Sequence, residues 1–302
     1  MRKFVFTALS ILVAIAFPAA LSVAAQTKKA AEPSGLLYKI SGKDLKKPSY
    51  LFGTIHIICP NDMFSMENLY GYLDQTDRII MELDFDNAEE MQLMSKSVQM
   101  TGGKTLKDFL TAEQFAKVDE MFKNYMGVSA ENFKQIKPFF LAIMVSTSPK
   151  ALGCTPGSYE MSFLKAATEK KKGVEGLETV ASQFAVFEKN PLDKQAKALY
   201  EMALNPQKAI DVFKKLVEAY KAQNSEKLYV LMDAQMISEK DTKDLQGALL
   251  DDRNKDWIPK IEKAIGEKSS FIAVGGGHLG GKNGIVNLLR AKGYKIEAII
   301  LN

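Results

Sequence analysis

Ser270 to Asn283 reads SFIAVGGGHLGGKN, and the fold class follows from this stretch. Phe271 to Val274 is a short apolar run with β-branched members, the composition of a buried strand. Glycines at 275, 276, 277, 280 and 281 follow it. They free the backbone to turn sharply and to approach a ligand closely. His278 stands among them, one of two histidines in 302 residues. The other, His56, closes SYLFGTIH, again an apolar run that meets a glycine three residues before the histidine. Gly53 stands to His56 as Gly275 stands to His278. Two histidines in one local grammar, with none elsewhere, point to one shared site.

Working outward, a helix is expected over Ile285–Lys292, with Gly293 as its C-cap, and a strand over Ile296–Leu301. With the 270–274 strand they read as one βαβ unit, for which a parallel pair joined by a right-handed crossover is expected. At the other end, Leu36–Ile40 and Tyr50–Ile58 read as strands. Asp62–Leu73 has the apolar spacing of a short helix, and Arg78–Leu83 (RIIMEL) that of another buried strand. Acids cluster at its end: Glu82, Asp84 and Asp86. The stretch from about 88 to 265 is mostly helical. Its best-marked helix opens on the capping box Thr111–Gln114 and repeats Val118, Met121, Phe122 and Tyr125 on one face before Gly127 stops it. Further helices are expected around 137–147, 159–171, 179–188, 192–203, 207–221 and 225–237. The glycine-punctuated 172–178 stretch reads as a brief strand ending at Glu178. The pattern predicts a single α/β domain over 36–302. Its central, mainly parallel or mixed sheet carries a large helical region inserted between the N- and C-terminal strands.

Ahead of that domain, Arg2 and Lys3 precede a mostly apolar run, and Val23-Ala24-Ala25 satisfies the small-x-small cleavage rule. Residues 1–25 are read as a secretory signal peptide, and the polar residues 26–35 as a disordered lead-in. The expected location is periplasmic or secreted, with no transmembrane segment in the mature chain. Net charge is +4 and the isoelectric point about 8.7. Part of that excess lies in the signal, so no nucleic-acid partner is indicated. Two cysteines, Cys59 and Cys154, exported together favour one disulfide, with two free thiols as the alternative.

In α/β sheets, ligand groups gather at the carboxyl ends of strands. His56, Glu82, Glu178 and His278 fall at or just past such ends. Two imidazoles with one or two carboxylates suit a divalent metal ion, with Mn, Co or Zn all compatible. Such an ion acidifies water and polarises a carbonyl, the requirements of hydrolysis. Glu82 is read as ligand or base, and Arg253 as a cation on the rim that holds a carboxylate or oxyanion. Gly53, Gly275, Gly276, Gly277 and Lys282 are read as the substrate-facing loops. Trp257, the one tryptophan, reads as a packing anchor. The loop Gly276-x-x-x-x-Gly281-Lys282-Asn283 is one residue short of a P-loop, because Asn283 lacks the hydroxyl that holds Mg²⁺. No G-x-S-x-G elbow is present, which disfavours a serine hydrolase.

At these residues the chain resembles the TraB/PrgY/GumN family, to which the Tiki extracellular proteases are related. The matching pieces are LFGTIH at 51–56, IMELD at 80–84, GLET…Q at 176–183, RN..W at 253–257 and AVGGGHLGGKNGIVNLLRAKGY at 273–294. The resemblance implies an α/β fold and a metal-dependent hydrolase site acting on a peptide or protein. Its two G-x-x-H motifs, glutamate and arginine map onto His56, His278, Glu82 and Arg253, with Glu178 a further candidate. One departure is visible: where the family's middle motif has an aspartate after a glycine, this chain reads Gly157-Ser158-Tyr159-Glu160, and the role of Glu160 stays open. The resemblance equally admits a non-catalytic peptide-binding or inhibitory protein of the same fold.

Overall fold

A computed structural model of the chain describes residues 34–235 and 247–302. The expected signal peptide, most of the 26–35 lead-in and the last two residues of the helix expected to 237 lie outside the described residues. The described residues form one compact unit.

Among the described residues six strands make one mixed sheet: β1 (Leu37–Ser41), β2 (Ser49–Thr54), β3 (Arg78–Met81), β4 (Gly173–Gly176), β5 (Ser270–Gly275) and β6 (Lys295–Ile299). Their order across the sheet is β4-β3-β5-β2-β1-β6. The pairs β4–β3, β3–β5 and β5–β2 are parallel, and β1 runs antiparallel to both its neighbours. The four parallel strands therefore end at one edge of the sheet. In register, Thr54 faces Gly275, while Met81 faces both Ala273 and Gly176.

The expected βαβ unit is corrected here. β5 and β6 do point the same way, but β2 and β1 lie between them. The reason is burial. β2 and β5 are mostly apolar and are buried on both faces along nearly their whole length, as neighbouring central parallel strands are. β6 alternates between exposed and buried residues, a pattern suited to a sheet edge. β1 reaches β2 through a short turn and so claims the place beside it.

Among the described residues twelve α-helices cover the sheet and extend from it: α1 (Met66–Asp74), α2 (Ala88–Ser97), α3 (Ala112–Met126), α4 (Pro138–Ser146), α5 (Pro149–Leu152), α6 (Tyr159–Glu169), α7 (Val180–Phe187), α8 (Leu192–Leu204), α9 (Pro206–Lys221), α10 (Ser225–Gln235), α11 (Asp252–Glu267) and α12 (Ile285–Ala291). The helix expected from Asp62 starts only at Met66, where Ser65 accepts a bond from the Asn68 N–H. The capping box predicted at Thr111 and the left-handed Gly127 stop both bound α3. The main core lies on the sheet, where Phe52, Tyr159, Phe163 and Phe271 meet with ring centroids 5.1–6.3 Å apart. Such pairs add about 0.5–1.5 kcal/mol each beyond their burial. A second core joins α3, α4 and α8 around Phe122, Leu141 and Leu199. Among the described residues no helix is long and apolar enough to cross a membrane.

Candidate functional site

Each parallel strand delivers one candidate side chain to the shared edge. His56 comes two residues after β2, Glu82 directly after β3, Glu178 two residues after β4, and His278 just after β5. Arg253, from the first turn of α11, lies at the centre. Its five N–H groups are all engaged. Nε bonds Glu178 at 3.0 Å, and Nη2 bonds Glu178 and, at 2.6 Å, Glu82 Oε2. Nη1 donates to the Leu249 carbonyl at 2.9 Å and to His278 Nε2 at 3.1 Å. This corrects the expected rim position: the side chain is only 10% exposed and keeps no donor for a substrate. A buried guanidinium must be paired on all sides, and here the pairing organises the site.

The two histidines are held differently. His278 donates Nδ1–H to Asn254 Oδ1 at 2.6 Å, a direction set by the Asn254 amide, whose NH₂ donates to the carbonyls of His278 and Asn283. Trp257 covers the ring at 4.4 Å between centroids. Burial first, then the Arg253 charge, push the imidazole down to about 3, so it is neutral. His56 bonds Glu160 through Nδ1 at 2.9 Å. Desolvation within the cleft opposes its charge, but the Glu160 carboxylate outweighs it, with help from Glu82, and raises the imidazole to about 9. Its outer face is open, with the side chain 61% exposed, and solvent there screens part of that attraction.

Glu160 is the counterpart that fixes His56. Thr54 Oγ1 donates to its Oε1 at 2.6 Å and Ser158 Oγ to its Oε2 at 2.8 Å. It sits in the first turn of α6, where the helix N-terminus favours a negative charge. Burial alone would raise this carboxyl, but His56 and these bonds hold it below its usual range. Two antiparallel backbone bonds between Ile58 and Gly157, and a disulfide joining Cys59 to Cys154, tie the His56 loop to the start of α6.

Glu82 Oε1 accepts the Gly275 N–H at 2.8 Å and stands 3.9 Å from His56 Nε2 and 3.8 Å from His278 Nε2. The two ring nitrogens therefore face one oxygen and lie no further apart than those distances summed. Burial works to protonate Glu82, but Arg253 and the histidines prevail and keep it ionised well below the usual range. A carboxylate that acidic is a weak base at neutral pH. Glu178 is displaced the other way, raised by burial and by Glu82 against the pull of Arg253.

The expected loop residues divide. A Cβ on Gly275 would lie 3.2 Å from Glu82 Oε1 and 3.6 Å from His56 Nε2, so this glycine lines the space between them. Gly53 is needed for packing instead, since its Cβ would come within 2.6 Å of Leu279 Cδ1 and 3.0 Å of Gly276 Cα. Gly276 and Gly277 face Leu228 and Met232, and Lys282 is exposed and away from the cavity beside His56. Asn254 and Gln183, which donates to both Glu82 and Glu178, were given no role by sequence. Each sits in a matching segment, RN..W and GLET…Q, which was the available signal.

The profile of the TraB/PrgY/gumN family matches residues 36–298. The chain belongs to this family. No curated protein and no solved structure matches it. In this TraB/PrgY/gumN member, then, the family match and the four-strand edge cover the same stretch of chain. Among the described residues no group of three or more His, Cys, Asp or Glu side chains already stands at metal-binding spacing. The donor chemistry fits an ion nonetheless. Both rings present Nε2 to one carboxylate oxygen, and both have Nδ1 fixed by an acceptor, the arrangement found behind ligating histidines. His278 becomes a ligand only if the Nη1–H of Arg253 releases the lone pair of His278 Nε2.

Proposed function

We propose that this cleft is the site of a metal-assisted hydrolase of peptide bonds, working outside the cytoplasm. His56 Nε2, His278 Nε2 and Glu82 Oε1 would hold the ion, which when bound acidifies a water and polarises the substrate carbonyl. The observation that carries the reading is the convergence of two Nε2 atoms, each within 4 Å, on a single oxygen of Glu82. Glu178 is not assigned as a ligand, because both its oxygens are turned to Arg253. Arg253 positions Glu82 and Glu178. Glu160 takes the proton of His56 Nδ1 as a hydrogen bond and aims the ring. His56 is the exposed member of the pair, and in its protonated state Nε2 carries a proton. A Mn, Co or Zn ion would replace that proton.

A peptide-library digestion with and without Mn²⁺, Co²⁺ and Zn²⁺ tests the proposal. Metal-stimulated cleavage that disappears in His56→Ala supports it. Tight peptide binding without turnover under every metal would refute it and favour a non-catalytic peptide-binding or inhibitory protein. The engagement of the His278 lone pair by Arg253 is the feature that favours that second reading.

A further inference from the structure

A cavity of about 150 Å³ opens beside His56 and Glu82. Its lining has two chemistries. His56, Glu82, Glu160 and Gln183 form its polar wall, and Leu83, Phe85, Met94 and Ala273 its apolar one. The two walls are linked in the chain, because Leu83 and Phe85 directly follow Glu82 where β3 ends. Leu83 is buried, while Phe85 and Met94 are half-buried and pack against the cluster of Leu83, Val180 and Phe184. Met94 projects from α2, which buries no residue fully and is joined to α7 by Glu90 accepting the Val180 N–H at 2.6 Å.

Water in this cavity finds hydrogen-bond partners on one wall only, so an apolar group that replaces it along the other wall gains free energy. A dry cavity of this size accommodates a group as large as benzene. The carboxylates on the polar wall are already paired, Glu82 with Arg253 and Glu160 with His56. They therefore offer little to a basic side chain and repel an acidic one. Methionine adapts its shape to different apolar partners.

We propose that this cavity is the specificity pocket of the site and takes the apolar side chain, of the leucine, methionine or phenylalanine class, of the residue next to the cleaved bond. The proposal rests on the hydrolytic reading above for the word cleaved, but the binding it describes is measurable without turnover.

The test uses the full chain labelled with ¹³C at its methionine methyls, with the Met94 resonance assigned by Met94→Leu. N-acetyl amides of leucine, methionine and phenylalanine should shift that resonance, and those of aspartate and lysine should not. Met94→Glu should weaken binding of the leucine amide by roughly ten-fold or more, the worth of burying about half such a side chain. Met94→Leu, read through the probe's own saturation-transfer signal, should keep the preference. Absence of any shift, or equal shifts from apolar and charged probes, overturns the pocket. Selective shifts without turnover of any peptide support the pocket and count against hydrolysis. Turnover with no apolar preference overturns the pocket and leaves hydrolysis standing.

Discussion

Acidification from pH 6.5 to 4.5 should destabilise the fold through His278 in particular. The ring is 4% exposed, donates through Nδ1 to Asn254, accepts through Nε2 from Arg253 and lies against Trp257. A proton added at Nε2 would face a guanidinium N–H in a buried space. The folded imidazole therefore titrates at about 3, against about 6.5 in the unfolded chain. Below pH 6.5 the unfolded chain binds the additional proton, so stability is complete above that pH and is lost as pH falls towards 3. The slope is about 1.4 kcal/mol per pH unit, which gives about 2–3 kcal/mol across the two units. His56 adds no slope here. Its folded pKa is raised, so its contribution is fully present below about 6.5 and is lost only as pH rises towards 9. Glu82 and Glu160 are held low, and their contributions fade only below the ordinary carboxylate range. Glu178 works in the opposite sense, because its raised pKa adds stability as pH falls. Comparison with His278→Gln removes that common contribution. Urea unfolding in EDTA, followed by the fluorescence of the one tryptophan, Trp257, measures both proteins. Parallel stability profiles for wild type and His278→Gln across this window would refute the buried neutral imidazole.

Glu160→Gln should bring the His56 pKa down from about 9 towards the ordinary histidine range. An NMR titration of a chain with only two histidines reads this directly, and an unchanged His56 would remove Glu160 from its positioning role. Loss of the Cys59–Cys154 bridge, which closes a sequence separation of 95, should cost about 4–5 kcal/mol in the chain-entropy account. Thiol titration of the unfolded, unreduced protein should find no free sulfhydryl, and two would disprove the bridge. Gly53→Ala should destabilise by about 1–3 kcal/mol, since the new methyl meets Leu279 and the Gly276 backbone. A thermal melt identical to wild type would show that the two strand ends are less tightly apposed.

Local sequence was enough to find the strands and the residues at their ends. Short β-branched runs such as FIAV, and the apolar part of RIIM, bounded by turn residues, read as buried strands. The residue that follows such a run is placed at the sheet edge whichever neighbours the strand acquires. That is why His56, Glu82, Glu178 and His278 were legible without knowledge of the topology, and why the Thr111 cap and Gly127 stop fixed α3. The single tryptophan also read correctly as a packing residue.

Tertiary structure decided the rest, because partners far apart in the chain leave no local mark. β6 looked like the neighbour of β5, yet its half-exposed pattern and the β1–β2 turn placed it at the far edge. Arg253 looked like a cation for substrate. Only the arrival of Glu82, Glu178 and His278 from three separate segments, beside the local Leu249 carbonyl, shows that its five donors are used. The two histidines share one sequence grammar but are opposite in charge preference, since one meets the carboxylate of Glu160 and the other the guanidinium of Arg253. Sequence determined which groups reach the edge of the sheet. Burial and charge contacts formed across the fold determined the protonation state of each.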